Sequence, residues 1–365
     1  MCRGRIHGGT SISGSFNVEN WMEFRKKLIH DDSTENDWNT AFGLLWERIT
    51  TRFLNPIDWI IEKRINKGEG FSVVALQCIL IEFLEAFYQG KIYTTSRNPQ
   101  PFEYNSSKKL FSDFLLGHKP FSEYFKERKN ANGFFDNIRC GLIHEAATKE
   151  TSRINTANNA PSQDAIVSFE ADDPTNMRIY RENFSKAILK YIDSYKQELL
   201  VNKEAQRSFI RKWDDISGIR HAYYFAYGSN MCRARLIKRI GKYHIAYLAA
   251  LRDYKFHYNK KSVDGSAKAN IEQEPENVVF GICYEIDYDD LKILDDCERG
   301  YDRKDIDIEL FDSNNNKTHD AKAVVYISRS IDSLLRPTET YKSIVITGAR
   351  HWKLDESYIR DYLDA

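Results

Sequence analysis

Apolar positions recur at spacings of three and four through the first two hundred residues, and the spacing changes after residue 220. Trp38, Phe42, Leu45, Ile49 and Phe53 mark one face of an amphipathic helix, and Asn55-Pro56 stops it and can open another. Val73 to Phe87 is apolar almost all round, which predicts a central helix started by Ser72 and closed near Gly90. Leu110, Phe111, Phe114 and Leu115 predict a further helix, as do Phe134, Phe135, Ile138 and Leu142, and Phe184, Ile188, Ile192, Tyr195 and Leu199 predict the last. The stretch 148–177 is rich in Asn, Thr, Ser, Asp and Pro and reads as an insertion or hairpin around Ala165 to Phe169. A charged segment, 202–221, reads as a linker.

Beyond it the pattern is that of strands. Tyr223 to Tyr227 is an aromatic run that stops at Gly228-Ser229-Asn230, and Met231 to Ile240 reads as helix. His244–Ala250, Tyr254–Tyr258, Val278–Ile286, Ile306–Leu310 and Ala321–Ile327 are further strand candidates, separated by turns rather than by crossover helices. A mixed or barrel-like sheet follows from that spacing.

Length and composition narrow the picture. The 365 residues exceed one ordinary domain, and 42% hydrophobic residues are enough for two cores. With 53 basic and 53 acidic residues, no global charge attracts nucleic acid or an anionic membrane. Six cysteines, at 2, 78, 140, 232, 283 and 297, form no CxxC pair, so a zinc ribbon and a dense disulfide framework are both unsupported and a reducing, cytoplasmic setting is expected. The basic N-terminus lacks an apolar stretch, and Val73–Phe87 carries Gln77, Glu82 and Glu85; neither reads as a signal peptide or a membrane span.

A loop between a strand end and a helix start aims backbone N–H groups at one point, which suits a carboxylate or a carbonyl oxygen. Gly228 allows close approach and Asn230 can serve as a cap, although an ordinary turn has the same composition. Tyr224-Phe225-Ala226-Tyr227-Gly228-Ser229-Asn230-Met231 resembles the signature loop of gamma-glutamylcyclotransferase-like proteins. The later matches keep their order: Ala269-Asn270-Ile271 and Val278 to Glu285 resemble the family's middle strands, Leu294 to Tyr301 its acidic catalytic segment, and Tyr341, Ile344, Gly348-Ala349 and Leu354 its helical tail. The resemblance spans about 222–365.

It implies a small closed barrel with flanking helices and an intramolecular reaction without metal or organic cofactor: the α-amine of a γ-glutamyl group attacks its own γ-carbonyl and releases 5-oxoproline. It also implies that Tyr227, Gly228, Ser229 and Asn230 hold the substrate, that Tyr326 lies near the pocket, and that Glu298 moves the proton. An α-ammonium of pKa about 8 is poorly served by a free Glu at about 4.3, so the site is expected to raise Glu298 through Asp295, Asp296 and burial. The chain departs from the family in carrying Arg299 before Gly300, and Arg299 and Arg303 either bind a substrate carboxylate or neutralise this acidic segment.

Arg139-Cys140-Gly141-Leu142-Ile143-His144 resembles the RxxxxH motif of the all-helical HEPN family. The same spacing recurs at Arg25/His30, Arg239/His244 and Arg252/His257 and is weak by itself, but Arg139 and His144 fall on a late helix. The resemblance implies dimerisation and, in active members, metal-independent RNA cleavage, with His144 as acid or base and Arg139 neutralising phosphate. The expectation is a multi-domain chain: an extension over 1–34, an all-α HEPN-like bundle over 35–201, a linker over 202–221, and an α+β cyclotransferase-like barrel over 222–365. It acts on a small γ-glutamyl molecule and dimerises through its helical part; RNA cleavage, with the barrel as sensor, is the alternative.

Overall fold

A computed structural model of the chain describes residues 9–29, 33–63, 68–156, 160–170, 173, 176–312 and 314–364. It falls into two compact units, Met1–Gly218 and Ile219–Ala365. Cys2 and His30 lie outside the described residues.

The first unit is helical. Its helices are α1 (Val18–Ile29), α2 (Glu35–Ile49), α3 (Asn55–Lys63), α4 (Glu69–Tyr88), α5 (Ser107–Gly117), α6 (Arg128–Phe134), α7 (Cys140–Glu145), α8 (Arg181–Val201) and α9 (Lys203–Ile216). Two strand pairs, β1 (Ser11–Ser13) with β2 (Phe16–Asn17) and β3 (Ile92–Tyr93) with β4 (Glu103–Tyr104), and a sheet of β5 (Arg153–Asn155), β6 (Val167–Phe169) and β7 (Met177–Tyr180) complete it. That three-stranded sheet is what the polar stretch 148–177 contributes.

Helix α4 is the centre. It is long and apolar enough to cross a membrane, yet Val73, Val74, Leu80, Ile81, Leu84 and Phe87 are fully buried within the unit. Its buried polar groups find partners: Glu69 pairs with Arg181 at 3.3 Å, Gln77 donates to the Arg181 carbonyl at 2.8 Å, Glu82 pairs with Arg139 at 3.1 Å, and Glu85 meets His118 at 2.7 Å. Pairing is what lets such groups sit inside a helical core.

Two boundaries differ from those expected. Residues 202–221 are not a linker: α9 places Phe209 and Trp213 against Phe87, with ring centroids at 5.4 and 5.8 Å, and it also buries two charges, Lys212, paired with Asp215 at 3.1 Å, and Asp214, paired with Arg25. Residues 1–34 are not a separate extension either, because Trp21 of α1 is fully buried and packs on Trp213 at 5.6 Å. A short amphipathic helix preceded by polar residues has too few periodic positions to stand out.

The second unit holds five strands, β8 (His221–Ala226), β9 (Ile245–Lys261), β10 (Ala267–Asp287), β11 (Asp302–Phe311) and β12 (Lys317–Ile327), closed in the order β10-β8-β12-β11-β9. All neighbours run antiparallel except β12 and β8, which meet in parallel at Val324 and Tyr224. The candidate strands 244–250 and 254–258 are one strand, since Asp253 takes a positive φ of 61° and the chain continues past it. Helices α10 (Arg233–Ile240), α11 (Asp290–Cys297) and α12 (Glu339–His351) flank the sheet. Tyr284, Ile282 and Ile271, all fully buried, lie in its core.

Candidate active site

Strand β8 carries Tyr224 into the interior and ends at Tyr227-Gly228, where a single turn of 3-10 helix, Ser229–Met231, reverses the chain. That turn closes with the Met231 amide on the Gly228 carbonyl at 2.9 Å and the Cys232 amide on the Ser229 carbonyl at 3.2 Å. Among the described residues the amides of Ser229 and Asn230 have no acceptor, although both residues are buried. Buried N–H groups in that state are ready to receive an oxygen from a ligand.

The loop is pinned by close packing. A Cβ on Gly228 would lie 2.9 Å from the Cβ of Ala269, and one on Gly348 of α12 would lie 2.5 Å from the Cys232 nitrogen. Glycine at 228 and 348 therefore lets β10 and α12 clasp the loop from two sides. Trp352 and Tyr284 both donate to the Met231 carbonyl, at 2.9 and 3.1 Å. Ser229 donates to the Tyr341 hydroxyl, which also accepts from the Ala269 amide at 3.2 Å.

Glu298 faces this loop from the end of α11. Its Oε1 accepts from Asn230 Nδ2 at 2.8 Å and is ion-paired with Arg239; Arg239 also donates to Asn230 Oδ1 at 2.8 Å, and Asn230 Nδ2 lies 2.6 Å from the Tyr224 hydroxyl. Both contacts fall on one carboxylate oxygen. Among the described residues Oε2 has no hydrogen-bond partner, and the side chain keeps 16% of its exposure. Asn230, expected as a helix cap, is instead the link between loop and carboxylate, and Cys232 occupies the cap position of α10.

The electrostatics differ from the expected arrangement. Asp295 and Asp296 are exposed, and the Asp295 carboxylate is taken by Arg303 at 2.8 Å and by the Tyr326 hydroxyl at 2.8 Å. The charge next to Glu298 is the Arg239 cation, not a second acid. Arg303 accordingly neutralises the acidic segment, and Arg299 is exposed. The extra residue is absorbed by a turn: the Tyr301 amide donates to the Glu298 carbonyl at 3.1 Å, with Gly300 at φ +82°, the conformation that favours glycine at its third position. Tyrosines line the cavity, among them Tyr224, Tyr227, Tyr301, Tyr326 and Tyr341. Burial pushes the Tyr224 and Tyr227 hydroxyls well above the usual tyrosine range, and the Glu298 charge adds to this, so both remain neutral donors.

Tyr227, Gly228, Ser229, Asn230, Glu298 and Tyr326 thus line one cavity. Tyr227 contributes mainly support, because its hydroxyl donates to the Tyr326 carbonyl at 2.5 Å. Arg239 escaped the sequence reading as one of several accidental RxxxxH spacings. Its position on the helix right after the loop was the available signal.

Arg139 and His144 are not brought together into a comparable site. Arg139 pairs with Glu82 and lies over the Phe135 ring, while His144 is exposed, and no hydrogen bond or ion pair joins the two among the described residues. The helical plan of residues 35–201 receives no support as HEPN-like from the comparisons with known proteins. His221 and His244 stack at 4.2 Å and 13°, with Glu285 on one nitrogen of the first ring and Asp287 on one of the second.

Residues 278–362 match the AIG2-like family. Among solved structures, the barrel unit is similar to a gamma-glutamyl cyclotransferase at 23% identity, covering 40% of this chain and 88% of that one with a TM-score of 0.34. It is likewise similar to an uncharacterized human protein at 25% identity, 40% and 87% coverage and TM-score 0.34. A yeast gamma-glutamyl cyclotransferase specific to glutathione matches at 12% identity, 40% and 94% coverage and TM-score 0.32. A comparison with curated proteins gives no match.

Proposed function

We propose that the barrel unit is a gamma-glutamylcyclotransferase, releasing 5-oxoproline and a free amine from a γ-glutamyl amine or peptide. The observation that carries the reading is the one-sided engagement of Glu298: Oε1 is fixed by Asn230 and Arg239, and Oε2 is left open beside two buried amides without acceptors. A base needs an anchored carboxylate with one oxygen free, and an oxyanion needs unsatisfied donors close by.

In this reading Glu298 Oε2 accepts a proton from the substrate's α-ammonium. The α-nitrogen then bonds to the γ-carbonyl carbon, and the oxygen, gaining charge, is received by the Ser229 and Asn230 amides. The carbon–nitrogen bond to the departing amine breaks as Glu298 returns a proton to that nitrogen, and the ring nitrogen loses its second proton to solvent. Arg239 and Asn230 are positioning residues that keep the carboxylate facing the loop. Intramolecular attack leaves the site only to fold the glutamyl chain, protect it and move protons.

The test is a panel of γ-glutamyl amines, amino acids and peptides incubated with purified protein, with 5-oxoproline read by mass spectrometry. Formation from at least one member, lost in Glu298→Gln, supports the reading; silence across the panel overturns it.

A further inference from the structure

Strand β9 carries Lys260 beside an irregularity in its pairing with β10, where the neighbouring Asn259 is also buried. Lys260 is only 8% exposed. Its Nζ lies over the Tyr301 ring at 4.9 Å, and a Cβ on Gly300, two residues past Glu298, would stand 3.5 Å from it. Both Tyr301 and Glu298 line the cavity. Among the described residues no carboxylate forms an ion pair with Lys260. Its cross-strand partner Lys268 differs, being paired with Asp264 at 2.9 Å while lying over the Tyr341 ring at 4.8 Å. An ammonium on a largely buried side chain with no carboxylate in ion-pair contact is only partly compensated, and an anion arriving in the cavity would complete that compensation.

We propose that Lys260 is a specificity-determining residue that receives a carboxylate of the substrate at the rim of the cavity; this rests on the cyclotransferase reading above. The carboxylate comes either from the glutamyl α-carbon or from the departing amino acid. Burial holds the Lys260 ammonium below the ordinary lysine range, opposed by the nearby Glu298 charge. As pH rises, recognition of the anion is therefore lost earlier than it would be for a solvated lysine.

The experiment compares wild type, Lys260→Met and Lys260→Arg on γ-glutamyl-alanine and γ-glutamyl-alaninamide, with binding of glutarate, 5-oxoproline and 5-oxoproline carboxamide measured by calorimetry. Lys260→Met is expected to raise KM for γ-glutamyl-alanine about tenfold to a hundredfold with kcat within about twofold, and Lys260→Arg to restore most of the loss. A KM effect confined to γ-glutamyl-alanine assigns the carboxylate to the departing amino acid. An equal effect on both substrates, together with weakened 5-oxoproline binding and unchanged carboxamide binding, assigns it to the α-carbon. Unchanged KM in Lys260→Met overturns the proposal, as does a fall in kcat that Lys260→Arg fails to restore. If wild-type protein turns over neither compound, Lys260 is judged on glutarate, and the reaction reading is decided by the broader γ-glutamyl panel. Binding to wild type but not to Lys260→Met upholds its anion role, and any other result overturns it.

Discussion

Two carboxylates, each engaged by a basic side chain, sit in the two units and do different things. In the helical unit Glu85 uses both oxygens, Oε1 accepting from Gln89 at 2.5 Å and Oε2 meeting His118 at 2.7 Å, and its side chain is 3% exposed. In the barrel Glu298 spends both its contacts on Oε1 and leaves Oε2 to the cavity. Burial and ion pairing are common to both, so neither marks a site by itself. What separates them is saturation: a fully satisfied network stiffens a core, and one with a spare acceptor beside spare donors has room for a reactant.

The sharpest way to break the comparison is to remove each carboxylate's chemistry and keep its shape. Glu298→Gln is expected to lower 5-oxoproline formation by about a hundredfold or more while the thermal midpoint stays close to wild type. His118→Ala, which removes the partner of Glu85 Oε2, is expected to do the reverse: destabilise the helical unit by about 1 to 3 kcal/mol, read by chemical denaturation, with turnover by the folded protein unchanged. An effect of Glu298→Gln on stability larger than on rate would erase the distinction.

Smaller effects sharpen it. Gly348→Ala forces a Cβ into the Cys232 backbone and is expected to cost about 1 to 3 kcal/mol and to lower kcat, because the loop amides shift with it. Arg239→Gln keeps one donor near Glu298 but removes the charge, and is expected to reduce kcat by about tenfold with little change in KM, read from initial rates. At the low end, Arg139→Ala breaks a half-buried pair with Glu82 and is expected to cost about 1 kcal/mol without changing 5-oxoproline formation.

Legibility in the sequence followed how local each feature is. The Tyr227–Asn230 loop was readable because a strand, a glycine and a helix start are contiguous, and the helices α2, α4 and α8 were readable because their apolar stripes are long. Helix α9 was masked by its charges, two of which, Lys212 and Asp214, are buried in ion pairs beside the inward Phe209 and Trp213. The acidic run at 295–298 was readable as a cluster, but not the direction in which each carboxylate points. Asp295 turns to Tyr326 and Arg303, whereas Glu298 turns to Arg239, a choice made by tertiary neighbours nearly sixty residues earlier or some thirty later. Lys260 left a trace only as a charge late in β9, and reading it required knowing that an irregular stretch of the strand is buried there.

The clasp of α12 on the loop ties two parts of the chain that lie more than a hundred residues apart. Gly348 and Trp352 touch the backbone of Met231 and Cys232, so these positions cannot vary independently during divergence. A bulkier residue at 348 demands a displaced turn at 231–232, and with it re-aimed amides at Ser229 and Asn230. Among related chains, residues 348 and 352 should therefore covary with 231 and 232, while Arg299 on its exposed turn drifts freely. The same tie sets an order during synthesis: the loop emerges well before α12, so its contacts with Gly348 and Trp352 form only once that helix has left the ribosome.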